Sequence, residues 1–157
     1  MSRRYKQSSY KPKYPHKVIL SNGKLPFYRS SWEGQLMEYL DLNDHVIKWG
    51  SEIITIPYIL PNGEQHRYII DFYVEIYDNN KQLQKYLIEV KPSSQSPGKS
   101  QPPKMPKPNN RTSKTMMSYQ RKLSEYYKNA CKWQAAQQFA KSNGLKFIVM
   151  NEDSFNL

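Results

Sequence analysis

Apolar and polar positions alternate through two runs of this chain, Ile69 to Tyr77 and Lys85 to Val90, both rich in Ile, Val, Phe and Tyr. Between them Asp78-Asn79-Asn80-Lys81 has turn chemistry, so the pattern predicts a β-hairpin. Alternation places Ile70, Phe72, Val74 and Ile76 on one side and Asp71 on the other. Ile88 and Val90 likewise share a side, with Glu89 and Lys91 opposite them. A hairpin folded about Asn80 sets Asp71 across from Glu89, whereas a slip of one residue separates them.

Helical periodicity takes over on either side. In RSSWEGQLMEYLDLN, Trp32, Leu36 and Leu40 recur on one face beside Tyr39, and Ser30 with Glu33 fits a capping box. From about Lys114 to Ser142, Tyr119, Leu123, Tyr126, Ala130, Trp133, Ala136 and Ala140 form a stripe expected to pack in the core, and Asn143-Gly144 stops the helix. Glu52 to Leu60 reads as a strand that returns through PNGE into Arg67 to Tyr77. Residues 52–60, 67–77 and 85–90 are expected to form an antiparallel meander, and KFIVM at Lys146 to Met150 a last strand. The predicted class is α/β (α+β), a mixed sheet flanked by helices.

Two stretches break these periods. The opening MSRRYKQSSYKPKYPHK has almost no aliphatic residue, so residues 1–25 read as a basic, extended arm ahead of a domain over 26–157. Residues 92–113 contain six prolines and read as a long basic loop within that domain.

Charge sharpens this division. Residues 1–32 hold eight Lys or Arg and no acid, and residues 90–114 hold six bases and no acid. Residues 33–89 hold ten acids against four bases, within a net charge of +11. Basic flanks suit a polyanion and an acidic centre suits cations, which nominates Arg3, Arg4, Lys6, Lys11, Lys13, Lys99, Lys104, Lys107 and Arg111 for nucleic-acid contact. The apolar runs are too short for a membrane span and the N-terminus lacks a signal-peptide core, so an intracellular protein is expected. Cys131 stands alone in a helical pattern and reads as a buried spacer. His16 and His45 make no zinc spacing with it, and there is neither a P-loop nor GxGxxG to argue for nucleotide use.

Two like charges facing each other across a hairpin destabilise it unless a counter-charge intervenes. Lys91 is at hand, but one ammonium satisfies two carboxylates less completely than a divalent cation does. The residues alone leave three readings: a metal site, a local ion pair, or solvated acids. For Glu33 they leave both capping and ligation.

A helical acid at Glu33, Asp71 in RYIIDFYVE, then LIEVKP at Leu87 to Pro92, followed by KWQAAQQF and a strand, resembles the PD-(D/E)XK nuclease superfamily. Within it the chain is similar to the head completion nucleases of contractile-tailed phages over about residues 26–153, and more distantly to the endonuclease subunits of Tn7-type transposases. The resemblance implies a restriction-endonuclease-like core. It also implies one or two Mg²⁺ or Mn²⁺ ions held by Glu33, Asp71, Glu89 and the carbonyl of Val90, with Lys91 acting on the attacking water. The implied activity is metal-dependent endo- or exonucleolytic hydrolysis of double-stranded DNA during head completion, in the host cytoplasm or on the virion, beside head, portal or neck proteins. A partner-dependent strand-cleaving subunit and a catalytically silent connector that binds DNA ends are the alternatives.

Overall fold

The computed structural model describes residues 7–155. Its elements are β1 (Ser8–Ser9), β2 (Phe27–Tyr28), α1 (Ser31–Leu42), β3 (Val46–Ser51), β4 (Thr55–Ile59), β5 (Gln65–Ile69), β6 (Phe72–Tyr77), β7 (Leu83–Val90), α2 (Ser113–Ser142) and β8 (Lys146–Met150). A four-stranded sheet in the order β3-β6-β7-β8 is antiparallel except for the parallel β7–β8 edge. The mixed sheet and its two helices bear out the predicted class.

The hairpin forms in the expected register. Phe72 pairs with Ile88 and Val74 with Tyr86, each pair of numbers summing to 160. The meander, however, differs from its expected composition. Its first strand is β3, which sequence patterning did not mark, while β4 pairs with β5 in a separate two-stranded sheet. The run expected as one strand over 67–77 is therefore broken at Ile70 and Asp71.

The break has a local cause. Between the pairs Ser51↔Phe72 and Thr55↔Ile69, one side has three residues, 52–54, and the other two, 70–71. One extra residue in one strand is a bulge, and Glu52 there takes φ 55°, while its N–H donates to Asp71 O at 3.0 Å. Gly50 precedes it where a Cβ would stand 2.7 Å from the Ile53 side chain. Across this bend alternation fails: Phe72 and Val74 pack on one face, and Ile70 joins Leu87 on the other, so Ile70 does not share a side with Phe72.

Each face carries one helix. The Ser30 Oγ accepts the Glu33 N–H at 3.2 Å to start α1, which buries Leu36, Met37 and Leu40 against Val46, Trp49, Phe72, Val74 and Ile88. On the other face Ala136 and Ala140 of α2 pack with Ile56, Tyr58, Tyr68, Ile70 and Leu87. Side chains of this size contribute about 1.5–3 kcal/mol each when fully buried. The aromatic stripe of α2 is only partly core. Trp133, Ala136 and Ala140 are buried, but Ala130 is exposed and Tyr119, Leu123 and Tyr126 are half-buried. Cys131, expected to be buried, is half-buried at the margin of this cluster.

Both segments without periodicity are tied down. From residue 7 the chain runs through β1 and a 3₁₀ turn at Pro15–Lys17, and Lys13 and Tyr14 donate their N–H groups to the buried Asp41 carboxylate. Residues 92–113 form two short 3₁₀ turns and lie against α2, enclosing a cavity of about 290 Å³ lined partly by Gln95, Ser100, Lys122 and Tyr126. At its start, Ser93 donates from N and Oγ to Glu152.

Candidate active site

The bend and the end of β7 meet at one place. Asp71 follows the broken strand, and its Oδ2 accepts the Val90 N–H at 2.8 Å. That bond crosses the hairpin and sets Asp71 beside Glu89. Glu89 is only 4% exposed on the central strand, and its Oε2 is buried without a hydrogen-bond partner. The other oxygen, Oε1, stands 3.5 Å from Lys91 Nζ.

These surroundings oppose two negative charges. Burial first, and then the charge of Glu89, push the Asp71 carboxyl up to about 8, against the pull of the Val90 N–H. A buried carboxylate oxygen with nothing to accept from is costly, and each such group calls for an explanation. Paired carboxylates with an unpartnered oxygen form the donor set that a hard divalent cation takes, so the residues fit such an ion.

Glu33 stands at the edge of this pair. Its charge is felt at Asp71, but its Oε2 accepts the Arg29 N–H at 2.8 Å in a capping arrangement at the start of α1. Among the described residues no three His, Cys, Asp or Glu side chains form a group able to hold a metal ion. The structure thus brings Asp71, Glu89, Val90 and Lys91 together and leaves Glu33 occupied by the helix start.

Two neighbours escaped the sequence reading. The Tyr68 hydroxyl is buried beside Glu89, where it makes no well-formed hydrogen bond, and burial, followed by the charge and the hydrogen-bonding pull of Glu89, raises its pKa. Lys132 of α2 holds its ammonium 5.2 Å from the centre of the Tyr68 ring. Burial and the charge of Lys91 lower the Lys132 pKa, while Glu89 and Asp71 pull it back up. A second cation therefore borders the acids. Its signal in the sequence was concealed, because Lys132 sits between Cys131 and Trp133 in an aromatic stripe read as core.

The residues nominated for nucleic-acid contact are spread more widely. Lys11 and Lys13 are exposed on the docked N-terminal segment, and Arg3, Arg4 and Lys6 lie outside the described residues. Lys99 pairs with Asp153 at 3.2 Å, and Arg111 Nε donates to Pro106 O at 3.1 Å. Lys104 and Lys107 line a cavity of about 350 Å³ between the proline-rich loop and α2. No helix among the described residues is long and apolar enough to cross a membrane.

Comparison with known proteins gives the family. Residues 43–152 match the family model described as the TnsA-like endonuclease N-terminal domain. The chain is also similar to the head completion nuclease of Enterobacteria phage T4, 35% identical over 127 residues that cover 80% of this chain and 78% of that protein. No solved structure matches it.

Proposed function

Because the chain belongs to the family of TnsA-like endonuclease N-terminal domains, of PD-(D/E)XK type, we propose that it is a divalent-metal-dependent DNA nuclease of phage head completion. It trims or cleaves packaged DNA so that filled heads can be closed and joined to tails. The observation that carries this reading is the Glu89 carboxylate, buried beside Asp71 with one oxygen left unpartnered.

Each residue has a distinct task in hydrolysis. Asp71 and Glu89, with the Val90 carbonyl, would hold one or two Mg²⁺ or Mn²⁺ ions. Glu33 would complete the set if it gave up the Arg29 N–H. A cation held there supplies positive charge against the phosphate and lowers the pKa of water beside it. Lys91 Nζ lies on the Glu89 side, where as an ammonium it would orient the attacking water and offset charge growing on the phosphate, the water's proton leaving to solvent. The Val90 N–H fixes the Asp71 carboxylate in advance, so no part of its orientation has to be found during the reaction.

The test is cleavage of supercoiled and linear duplex DNA by the purified full chain with Mg²⁺, with Mn²⁺ and with chelator. Cleavage that needs the metal and disappears in Glu89→Gln supports the proposal. Metal-independent cleavage, or full activity in Glu89→Gln, overturns it. The family match favours a second reading, a strand-cleaving subunit that is silent until a partner protein joins it. Binding of DNA without cleavage by the chain alone would select that reading.

A further inference from the structure

The long helix carries a pattern that the proposed site does not use. Only the C-terminal part of α2 is buried, through Trp133, Ala136 and Ala140, so residues 113–132, about five and a half turns, hold no buried side chain. Along α2, Lys114, Arg121, Lys128 and Lys132 follow one another at intervals of seven, seven and four residues. At 100° per residue these four lie within about 40° of one another around the helix axis. They form one stripe, about 27 Å from end to end at 1.5 Å per residue.

Its neighbourhood gives the stripe a direction. The proline-rich loop covers the adjacent side of the helix, where Lys122, Tyr126 and Asn129 face the cavity beneath it. Glu125 lies at the edge of the stripe, about 20° around the axis from Lys114 and Lys132, and also lines this cavity, so the stripe carries four cations against one acid. Lys114 and Arg121 are exposed, Lys128 and Lys132 are half-buried, and none of the four makes an ion pair among the described residues. Lys132, the inner end, reaches over Tyr68, whose hydroxyl borders Glu89. Four unpaired cations in a line that ends at two acids constitute an unbalanced field leading into the site.

We propose that this face of α2 is a track for the DNA sugar-phosphate backbone, which Lys114, Arg121 and Lys128 hold and Lys132 passes to the acids. The assignment rests on the nuclease reading for its end point, but the track itself requires only a polyanion. Its length matches about eight base pairs of duplex. Lysine and arginine along one line grip phosphates without reading bases, so the track adds affinity and orientation at every sequence alike.

The experiment compares the full-length wild type with the triple variant Lys114→Gln, Arg121→Gln, Lys128→Gln and with Lys141→Gln, which lies on the opposite face of α2. Binding to a short duplex is measured in chelator over a range of salt, and cleavage in Mg²⁺. The triple variant is expected to lose about 2.7 from the slope of log K against log salt, at about 0.9 per phosphate contact, and to raise KM at constant kcat. Lys141→Gln should match the wild type in both. Circular dichroism confirms that each variant retains α2. An unchanged slope in the triple variant, or an equal loss in Lys141→Gln, overturns the track and leaves the nuclease reading intact. A reduced slope together with a wild type that cleaves no DNA in any metal keeps the track and overturns the reading of the chain as a nuclease that acts alone.

Discussion

Two buried acid sites in this molecule have opposite fates. Asp41, at the end of α1, is fully buried, and its carboxylate accepts from Tyr10 Oη at 2.8 Å, Lys13 N at 2.7 Å and Tyr14 N at 3.0 Å. Lys17 Nζ closes the same corner by donating to the carbonyls of Asp41 and Asn43. Glu89 is nearly as buried, yet one oxygen has an ammonium at 3.5 Å and the other makes no well-formed hydrogen bond, with only the Tyr68 hydroxyl and the Asp71 carboxyl beside the group. Burial of a carboxylate does not by itself mark function. A saturated acid fastens the chain, and an unsaturated one beside a second acid is prepared for a ligand.

The sharpest way to break the comparison is to remove charge from the unsaturated site. Asp71→Asn and Glu89→Gln should each lower cleavage by about a thousandfold or more, the effect of losing several kcal/mol of stabilisation at the phosphate. The fold should not suffer. Asp71 is raised in the folded state, so that state holds more protons than the unfolded chain between roughly pH 4 and 8, and stability is lost as pH rises through this window. Asp71→Asn should therefore flatten thermal stability against pH in chelator. A variant that melts far below the wild type at every pH would mean that Asp71 is structural.

The same operation on the saturated site should have the reverse result. Asp41→Ala strands the Tyr10 hydroxyl and two N–H groups, and should cost about 3–5 kcal/mol in denaturant unfolding, while the folded fraction retains its kcat. Deletion of residues 1–17 removes these partners together with six cations, so it should both destabilise the protein and weaken DNA binding.

Metal separates the sites most gently. Mg²⁺ or Mn²⁺ at a hundred times its Kd should stabilise the wild type by about 2.7 kcal/mol in calorimetry and leave Glu89→Gln unmoved. The gain should be larger above pH 8 than near pH 6, because the cation displaces the proton that Asp71 holds. Equal gains in both proteins would place the ion elsewhere.

Much of this was readable from residue order. The hairpin register followed from one turn, because a period of two leaves few ways to bury Phe72, Val74 and Ile88 together. It also brought Asp71 to Glu89. The strand β3 was not readable, since in VIKWGS Lys48 and Gly50 interrupt the apolar pattern that would have announced it. The bend at Ile70 escaped because its cause, the extra residue between Ser51 and Thr55, lies in the opposing strand. Glu33 was read both as cap and as ligand, and the Arg29 N–H shows how local hydrogen bonding competes for the same carboxylate. Asp41 was invisible for the opposite reason: its partners lie 27 to 31 positions earlier, and only a folded chain brings them together.

The bulge at Glu52 also gives this protein a vulnerability that no substitution at its acids would reveal. Losing a single codon between Ser51 and Thr55 would let the two strands pair without interruption, forcing Ile70 and Phe72 to the same side. The chain would then have to give up either the packing of Ile70 beneath α2 or the approach of Asp71 to Glu89, so a lineage could lose this pairing of acids with Asp71, Glu89 and Lys91 all still written in the gene.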